Sequence, residues 1–287
     1  MNKIHVNFHA TEIYADLYQA EKSEIPDKVL IILGGSDGKY ELTQKLAELF
    51  CNYGVNALAL AYWNVEGLPK SIDRIPVELL RKAYTYLLEQ GYKKVGVYGV
   101  SKGAEYALTA ASLLGEITCV VAVSPLDYVV EGLTVNSRLT GTASWSYQGQ
   151  ELPYIPLKMK LFRLMAKCIK ERQVDMCFLY EEPLKNAKKE AAIQVENING
   201  SVLFISAQDD RIWTSRSSSE RMMQRLKEKH FAYPYEHLNY EYASHLILPI
   251  HTGMEKYFTI EKKYPEKCDE SRILSWKKTL GWLKNNW

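Results

Sequence analysis

Strong net charge, long apolar runs and paired cysteines are all missing from this sequence of 287 residues. Its 36 basic and 34 acidic side chains leave a net charge of +2, so a nucleic-acid partner is not expected. The five cysteines have no CxxC spacing, which favours reduced thiols over a disulfide framework or a zinc site. No apolar stretch reaches the ~18 residues of a membrane span, and the first residues lack the apolar core of a secretory leader. We therefore expect a cytoplasmic protein that does not span a membrane.

Short apolar runs alternate with longer amphipathic stretches between residues 28 and 124. Such alternation is typical of repeated βα units on a parallel sheet. The predicted strands cover residues 28–33, 57–62, 94–98, 119–124 and 201–206. The periodicity also predicts helices over 40–53, 76–90, 102–114 and 271–285, and an antiparallel strand within 5–20.

The stretch from about 128 to 192 interrupts this alternation. It begins as a loop rich in Gly, Ser and Thr and continues as a Lys-rich helix predicted over 157–172. An insertion between sheet strands is usually a lid or cap. We therefore expect residues 1–287 to form a single domain with a cap at 128–192.

The sequence Gly99-Val100-Ser101-Lys102-Gly103 matches the pattern GxSxG. In this pattern the serine occupies a sharp turn between a strand and a helix, called the nucleophile elbow, and the glycines leave room for neighbouring backbone. The motif follows the predicted strand 94–98 and begins the predicted helix 102–114, as it requires. Ser101 is therefore predicted to be a nucleophile, the alternative being an ordinary turn serine before a buried helix.

A serine nucleophile needs a base and an acid, which follow it in the order Ser, Asp, His in the α/β-hydrolase fold. Asp209 and Asp210 come shortly after the predicted strand 201–206. They are therefore expected at the carboxyl ends of the strands, where the catalytic groups of α/β sheets gather. Asp210 is preferred because the acid typically lies a fixed step beyond the strand. His245, 35 residues later, is predicted to be the base. Its one rival is His251; the others lie in the N-terminal segment (His5, His9) and in polar helix-end and loop segments (His230, His237).

An oxyanion formed at Ser101 needs backbone N–H donors. Lys102 is predicted to supply the first, and Gly35 or Ser36, in the glycine-rich loop after the strand 28–33, the second. The other use of such a loop is phosphate binding, but neither GxGxxG nor GxxxxGK[ST] is present here. The sequence predicts no cofactor and no metal site.

Further blocks accompany these residues: 34–35 (GG), 59–64 (ALAYWN), 67–70 (GLPK), 99–105 (GVSKGAE), 144–149 (SWSYQG), 152–156 (LPYIP), 208–210 (QDD) and 244–247 (SHLI). Over about residues 28 to 250 they resemble the family of acyl-CoA thioesterases and bile-acid-CoA:amino acid N-acyltransferases. The resemblance matches Ser101, Asp210 and His245 to the family's nucleophile, acid and base. Family members that conjugate amino acids commonly carry cysteine at the elbow, so a serine favours hydrolysis. Two positions depart from the family: Ser244 replaces a usual glycine, and Leu248 an acidic residue.

The expected fold is therefore α/β, an α/β-hydrolase fold with a mostly parallel sheet, helices on both faces and a cap insertion. The resemblance implies an acyl-CoA thioesterase that forms an acyl-enzyme, with a small-molecule acyl-CoA or ester as its partner. Alternatives are a carboxylesterase or dienelactone-hydrolase-like enzyme, a serine peptidase, an acyl-CoA:amino acid N-acyltransferase, or a catalytically silent binding protein. Acyl chain length and oligomeric state stay open.

Basic residues are concentrated on the predicted cap helix. They are candidates for binding the phosphates of CoA, the alternative being an ordinary solvated helix face. They comprise Lys158, Lys160, Arg163, Lys167, Lys170 and Arg172.

Overall fold

The computed structural model describes residues 1–158 and 161–287. Fourteen strands occur in these two ranges. In chain order they are β1 (Asn2–His5), β2 (Tyr14–Gln19), β3 (Lys28–Leu33), β4 (Asn56–Ala61), β5 (Ser71–Ile72), β6 (Ile75–Pro76), β7 (Lys94–Val100), β8 (Cys119–Val123), β9 (Glu131–Thr134), β10 (Leu139–Ala143), β11 (Trp145–Tyr147), β12 (Gln150–Glu151), β13 (Ser201–Ala207) and β14 (Tyr235–Tyr240).

Eight of these strands form one sheet in the order β1-β2-β4-β3-β7-β8-β13-β14. All pairs from β4 to β14 are parallel, whereas β2 runs antiparallel to β4 and β1 antiparallel to β2. The five predicted strands are confirmed within one or two residues at each end. The predicted antiparallel strand is β2, and a short helix separates it from β1.

The helices are α1 (Phe8–Thr11), α2 (Tyr40–Asn52), α3 (Glu78–Glu89), α4 (Lys102–Leu114), α5 (Leu161–Glu171), α6 (Phe178–Lys185), α7 (Ser215–Glu228), α8 (Thr259–Lys263) and α9 (Pro265–Asn285). Short 3-10 turns cover Lys189–Ala191, Val195–Asn197 and Glu255–Tyr257. Within the two described ranges, no helix is both long enough and apolar enough to cross a membrane.

Helices cover both faces of the sheet because successive strand residues point to opposite sides. On β3, Val29 and Ile31 pack into a cluster with α3, α4 and α7, whereas Leu30 and Ile32 pack with α2 and α9. The parallel strands from β4 to β13 are therefore buried on both faces, which explains why their sequences are continuous apolar runs, whereas β14 at the edge of the sheet is half exposed.

The insertion between β8 and β13 is more regular than its composition predicted. Its first half was expected to be a loop, but β9 and β10 join β5 in one small sheet, while β11 and β12 join β6 in another. Gly132 on β9 lies so close to Ile72 that an added Cβ would be 2.0 Å from the carbonyl oxygen of Ile72. The loop expectation was wrong because β9 and β11 pair with residues about 60 to 70 positions earlier, which local sequence does not reveal.

Two predicted helices have different boundaries in the structure. Residues 157 and 158, predicted to begin the cap helix, are not helical, and α5 covers Leu161–Glu171. The N–H of the buried Leu157 donates to Glu131 Oε2 (2.8 Å). Helix α9 begins at Pro265, six residues before its predicted start. Proline suits the first helical turn because it lacks an N–H, and an N–H there would have no partner within the helix.

Candidate active site

Ser101 lies on the sharp turn between β7 and α4. Its backbone has φ 55° and ψ −119°. Residues other than glycine rarely adopt this conformation, which exposes the serine hydroxyl beyond the carboxyl ends of the strands. The flanking glycines leave space for this turn. An added Cβ on Gly99 would lie 2.3 Å from Gly103 O, and one on Gly103 would lie 2.3 Å from Gly34 O.

The structure brings Ser101, His245 and Asp210 together. His245 Nε2 is 2.9 Å from Ser101 Oγ, and its Nδ1 is 2.8 Å from Asp210 Oδ2. The Asp210 carboxylate also accepts the N–H of Ile212 (2.9 Å) and the hydroxyl of Ser215 (2.6 Å). These donors fix the carboxylate against the imidazole, so that a proton on Nδ1 leaves Nε2 free to accept one from the serine.

The two rival residues, Asp209 and His251, have other partners. Asp209 is 44% exposed and pairs with Arg211 at 2.7 Å. His251 lines the same cavity as Ser101, but its side chain is 68% exposed and faces Asp269 at 3.6 Å. His237 was predicted to lie in a polar loop or helix end, but it lies on β14.

The loop that carries His245 is held by a network of hydrogen bonds between buried polar residues, which the sequence did not predict. Ser244 Oγ donates to Glu261 Oε1 (2.6 Å) and accepts the N–H of Leu246 (3.2 Å). Arg272 donates to the other oxygen of Glu261 (2.5 Å). The three residues of this network are each at most 7% exposed. The network therefore connects the loop of His245 to α8 and α9. The one feature of the sequence that pointed to this network was Ser244, at a position where the family usually has glycine.

Trp213 and Ser124 hold the histidine from the opposite side. The Ser124 hydroxyl donates to the carbonyl oxygen of His245 (2.8 Å), and the Trp213 indole N–H donates to Ser124 O (2.9 Å). The indole stands edge-on to the imidazole, with ring centroids 5.5 Å apart. Because Trp213 is only 2% exposed, this packing fixes the plane of the histidine ring.

The loop after β3 passes beside the serine. An added Cβ on Gly35 would lie 3.4 Å from Ser101 Cβ, so the backbone of this loop approaches the elbow closely. The loop is fixed by Tyr62, whose hydroxyl donates to Gly34 O (2.9 Å). Lys102 is the first residue of α4, and its backbone N–H therefore has no partner within the helix. Gly35, Ser36 and Lys102 all line the cavity that contains Ser101.

A buried ion pair lies directly behind the elbow. Lys102 Nζ is 2.8 Å from Glu105 Oε2 and 2.6 Å from Ser144 Oγ. Glu105 Oε1 accepts the N–H of Val130 (3.0 Å) and the indole N–H of Trp145 (2.9 Å). Burial lowers the pKa of Lys102 and raises the pKa of Glu105. These contacts connect the elbow helix to the insertion at three points.

Ser101 and His245 open into a cavity of about 490 Å³. The insertion supplies one apolar wall, formed by Leu133, Leu139, Leu157, Val174, Met176 and Leu179. Four lysines also line the cavity: Lys102 is buried, whereas Lys39, Lys45 and Lys158 are exposed. Two acidic residues, Asp37 and Glu41, line it as well. The cavity therefore combines an apolar interior with a rim on which basic side chains outnumber acidic ones, here called the cationic rim. Within the described ranges, no cluster of His, Cys, Asp and Glu is arranged as a metal site.

Most of the basic residues predicted on the cap do not reach this cavity. Lys158 lines it, and Lys160 lies outside the described residues. Lys167 instead pairs with the buried Asp175 at 3.0 Å, and Arg163 lies 3.7 Å from Glu182. Lys39 and Lys45 were not predicted to belong to the site; they lie before and within α2 and become neighbours of the cavity only through the fold.

Residues 75–259 match the family described as BAAT / acyl-CoA thioester hydrolase C terminal, and this match covers more than half of the chain. The chain belongs to this family. Similar relatives include mouse acyl-coenzyme A thioesterase 5, 35% identical over 66% of this chain and 43% of the relative. Human acyl-coenzyme A thioesterase 1 is 32% identical over 65% of this chain and 41% of the relative. The family member described here thus spans less than half the length of these two relatives.

Similar solved structures show the fold. A protein described as a dienelactone hydrolase from Klebsiella pneumoniae superposes with a TM-score of 0.57 at 14% identity, covering 95% of this chain and 93% of that one. An α/β-hydrolase enzyme from a Medee basin deep-sea metagenome library gives a TM-score of 0.54 at 14% identity, covering 98% and 95%. The predicted α/β-hydrolase fold is confirmed.

Proposed function

We propose that this family member is an acyl-CoA thioesterase that uses Ser101, His245 and Asp210 as nucleophile, base and acid. The observation that carries the proposal is the 2.9 Å contact between Ser101 Oγ and His245 Nε2, with the Asp210 carboxylate on the other ring nitrogen. This arrangement allows the serine to lose its proton as it attacks a carbonyl carbon. Membership of a family that includes thioester hydrolases favours an acyl-CoA as the substrate.

The reaction proceeds in two halves. His245 Nε2 takes the proton of Ser101, and Oγ adds to the thioester carbon to give a tetrahedral oxyanion. The backbone N–H of Lys102 and that of Gly35 or Ser36 stabilise this oxyanion. The C–S bond then breaks, and the CoA sulfur takes the proton from His245. In the second half, water adds to the acyl-enzyme with His245 as base, and the carboxylic acid leaves as the proton returns to Ser101.

The cavity favours one orientation of the substrate. The acyl chain fits the apolar wall of the insertion, while the phosphates of CoA fit the rim formed by Lys39, Lys45 and Lys158, because opposite charges attract at a partly desolvated edge. This assignment moves the proposed phosphate contacts from the cap helix to the cavity rim.

We also propose that the chain is one catalytic domain, with residues 128–192 as its cap. The buried contacts of Lys102 and Glu105 with the insertion support this, since they make the cap continuous with the elbow. For location we propose the cytoplasm. All five cysteines are free, as in reducing compartments.

Steady-state kinetics with acyl-CoA esters, the matching p-nitrophenyl esters and aminoacyl amides would test the reaction. Ser101→Ala is expected to reduce acyl-CoA hydrolysis at least about 10³-fold, and a fluorophosphonate probe is expected to label wild type at Ser101. An unlabelled protein without turnover would instead indicate a binding protein. Turnover that requires an amine acceptor would indicate an N-acyltransferase.

The rim has its own test within the same assays. In Lys39→Glu/Lys45→Glu, KM for acyl-CoA is expected to rise about tenfold, while KM for the p-nitrophenyl ester of the same acyl chain stays constant because that ester carries no phosphate. Glu66→Lys, a charge reversal at an exposed position that is not among the cavity-lining residues, is the control. An equal rise in both KM values would refute the phosphate contact without affecting the triad.

A further inference from the structure

We propose that helix α5 docks this protein onto an anionic lipid surface, with the mouth of the cavity facing the membrane. The helix presents three large apolar side chains to solvent: Phe162 is 90% exposed, Met165 54% and Ile169 74%. Their spacings of three and four residues place them on one face of the helix. Such a face is costly in water and gains by insertion into an apolar medium.

The helix and its flanks are rich in basic residues, two of which have acidic neighbours: Arg163 lies 3.7 Å from Glu182 and Lys167 lies 3.0 Å from Asp175. Residues 157–172 contain six basic residues and one acidic residue, in a chain whose net charge is only +2. Arg163 and Lys170 each follow one of the exposed apolar residues in sequence and therefore lie along one side of the face. An apolar face bordered by Lys and Arg is the pattern of a helix that lies in the interface of an anionic membrane.

The apolar exposure extends from α5 to the cavity mouth. Val135 (47% exposed) and Met254 (41%) line the cavity. Tyr257, 47% exposed, accepts the N–H of Val174, a cavity-lining residue that follows α5 (3.1 Å). Six of the 13 large apolar residues that are exposed among the described residues therefore belong to α5 or to this mouth.

The same charges disfavour a second copy of this chain as the occupant. In a two-fold dimer the same patch meets itself, so in an antiparallel pair the basic side of one α5 would lie against the basic side of the other. Like charges across an interface are repulsive. A bilayer that contains anionic lipids supplies the missing negative charge together with the apolar layer.

Sedimentation of the full chain with vesicles would test this proposal, and it needs no assumption about the reaction. Wild type is expected to bind vesicles of phosphatidylcholine and phosphatidylglycerol, and to bind pure phosphatidylcholine more weakly. Phe162→Glu/Ile169→Glu is expected to weaken binding at least about tenfold. Lys170→Glu is expected to weaken binding to the anionic vesicles about 5- to 30-fold, with little effect on neutral ones.

Ile273→Glu/Leu274→Glu is the matched control, because these residues of α9 are 54% and 49% exposed and the charge change is the same. This variant is expected to bind vesicles as wild type does, and thermal unfolding of every variant checks that it folds. The proposal fails if wild type does not bind vesicles, or if the control loses as much binding as the α5 variant. It also fails if the α5 variant dissociates a dimer while vesicle binding is absent.

Discussion

The buried pair Lys102–Glu105 permits a quantitative prediction about stability. Both residues are at most 1% exposed, and Glu105 receives hydrogen bonds from Lys102, Val130 and Trp145. In Glu105→Gln, the amide oxygen can still accept the two neutral donors, but the amide NH₂ then faces the Lys102 ammonium. The substitution therefore leaves a buried charge without its counter-ion.

Breaking a buried ion pair in this way costs about 3–5 kcal/mol. A domain of this size loses about 2–4 °C in Tm for each kcal/mol, so Glu105→Gln is expected to lower Tm by about 6–20 °C. Lys102→Met removes the other charge and is expected to destabilise the fold by a similar amount. In the double variant neither charge remains, and the amide oxygen keeps both neutral donors. Its loss should therefore be smaller than the sum of the two single losses by at least about 2 kcal/mol.

Urea unfolding at pH 7.5, followed by circular dichroism, measures the free energy of unfolding of wild type, of the two single variants and of the double variant. Glu78→Gln is a suitable control, because this glutamate receives a single exposed hydrogen bond, from the N–H of Gln148. A change below about 1 kcal/mol in Glu105→Gln, or strictly additive single losses, would refute the view that the pair is a coupled buried unit.

Two further predictions concern the histidine loop and the sheet edge. Ser244→Gly removes the bond to Glu261, so kcat for the proposed reaction is expected to fall about 5- to 30-fold with KM unchanged; an unchanged kcat would show that the loop is held without it. Burial lowers the pKa of His237, so the folded state keeps this ring neutral while the unfolded state gains a proton below about pH 6.5. Stability is therefore expected to fall as pH drops from 6.5 to 5, and urea unfolding should show a flatter dependence for His237→Asn; identical slopes would contradict this.

The sequence by itself determined the parts of the fold that depend on neighbouring residues. Apolar runs and three-to-four spacing predicted the parallel strands and the helices of the βα units, because burial on a strand or helix follows the local period of the backbone. The elbow at Ser101 was predictable for the same reason, since the strand, the turn and the helix are consecutive. The order of Asp210 and His245 along the chain then limited the choice of partners.

Only the tertiary structure decided which side chains meet. The contact between Ser101 and His245 joins residues 144 positions apart, and no local pattern distinguishes that histidine from His251. The same holds for the bond of Lys102 to Ser144, 42 positions away, and for the strands of the insertion. Periodicity reports how a segment is buried, but the distance between segments depends on the path of the whole chain. For this reason the proposed nucleophile could be predicted from the sequence, whereas the contacts that support His245, the cationic rim and the exposed face of α5 emerged only from the fold.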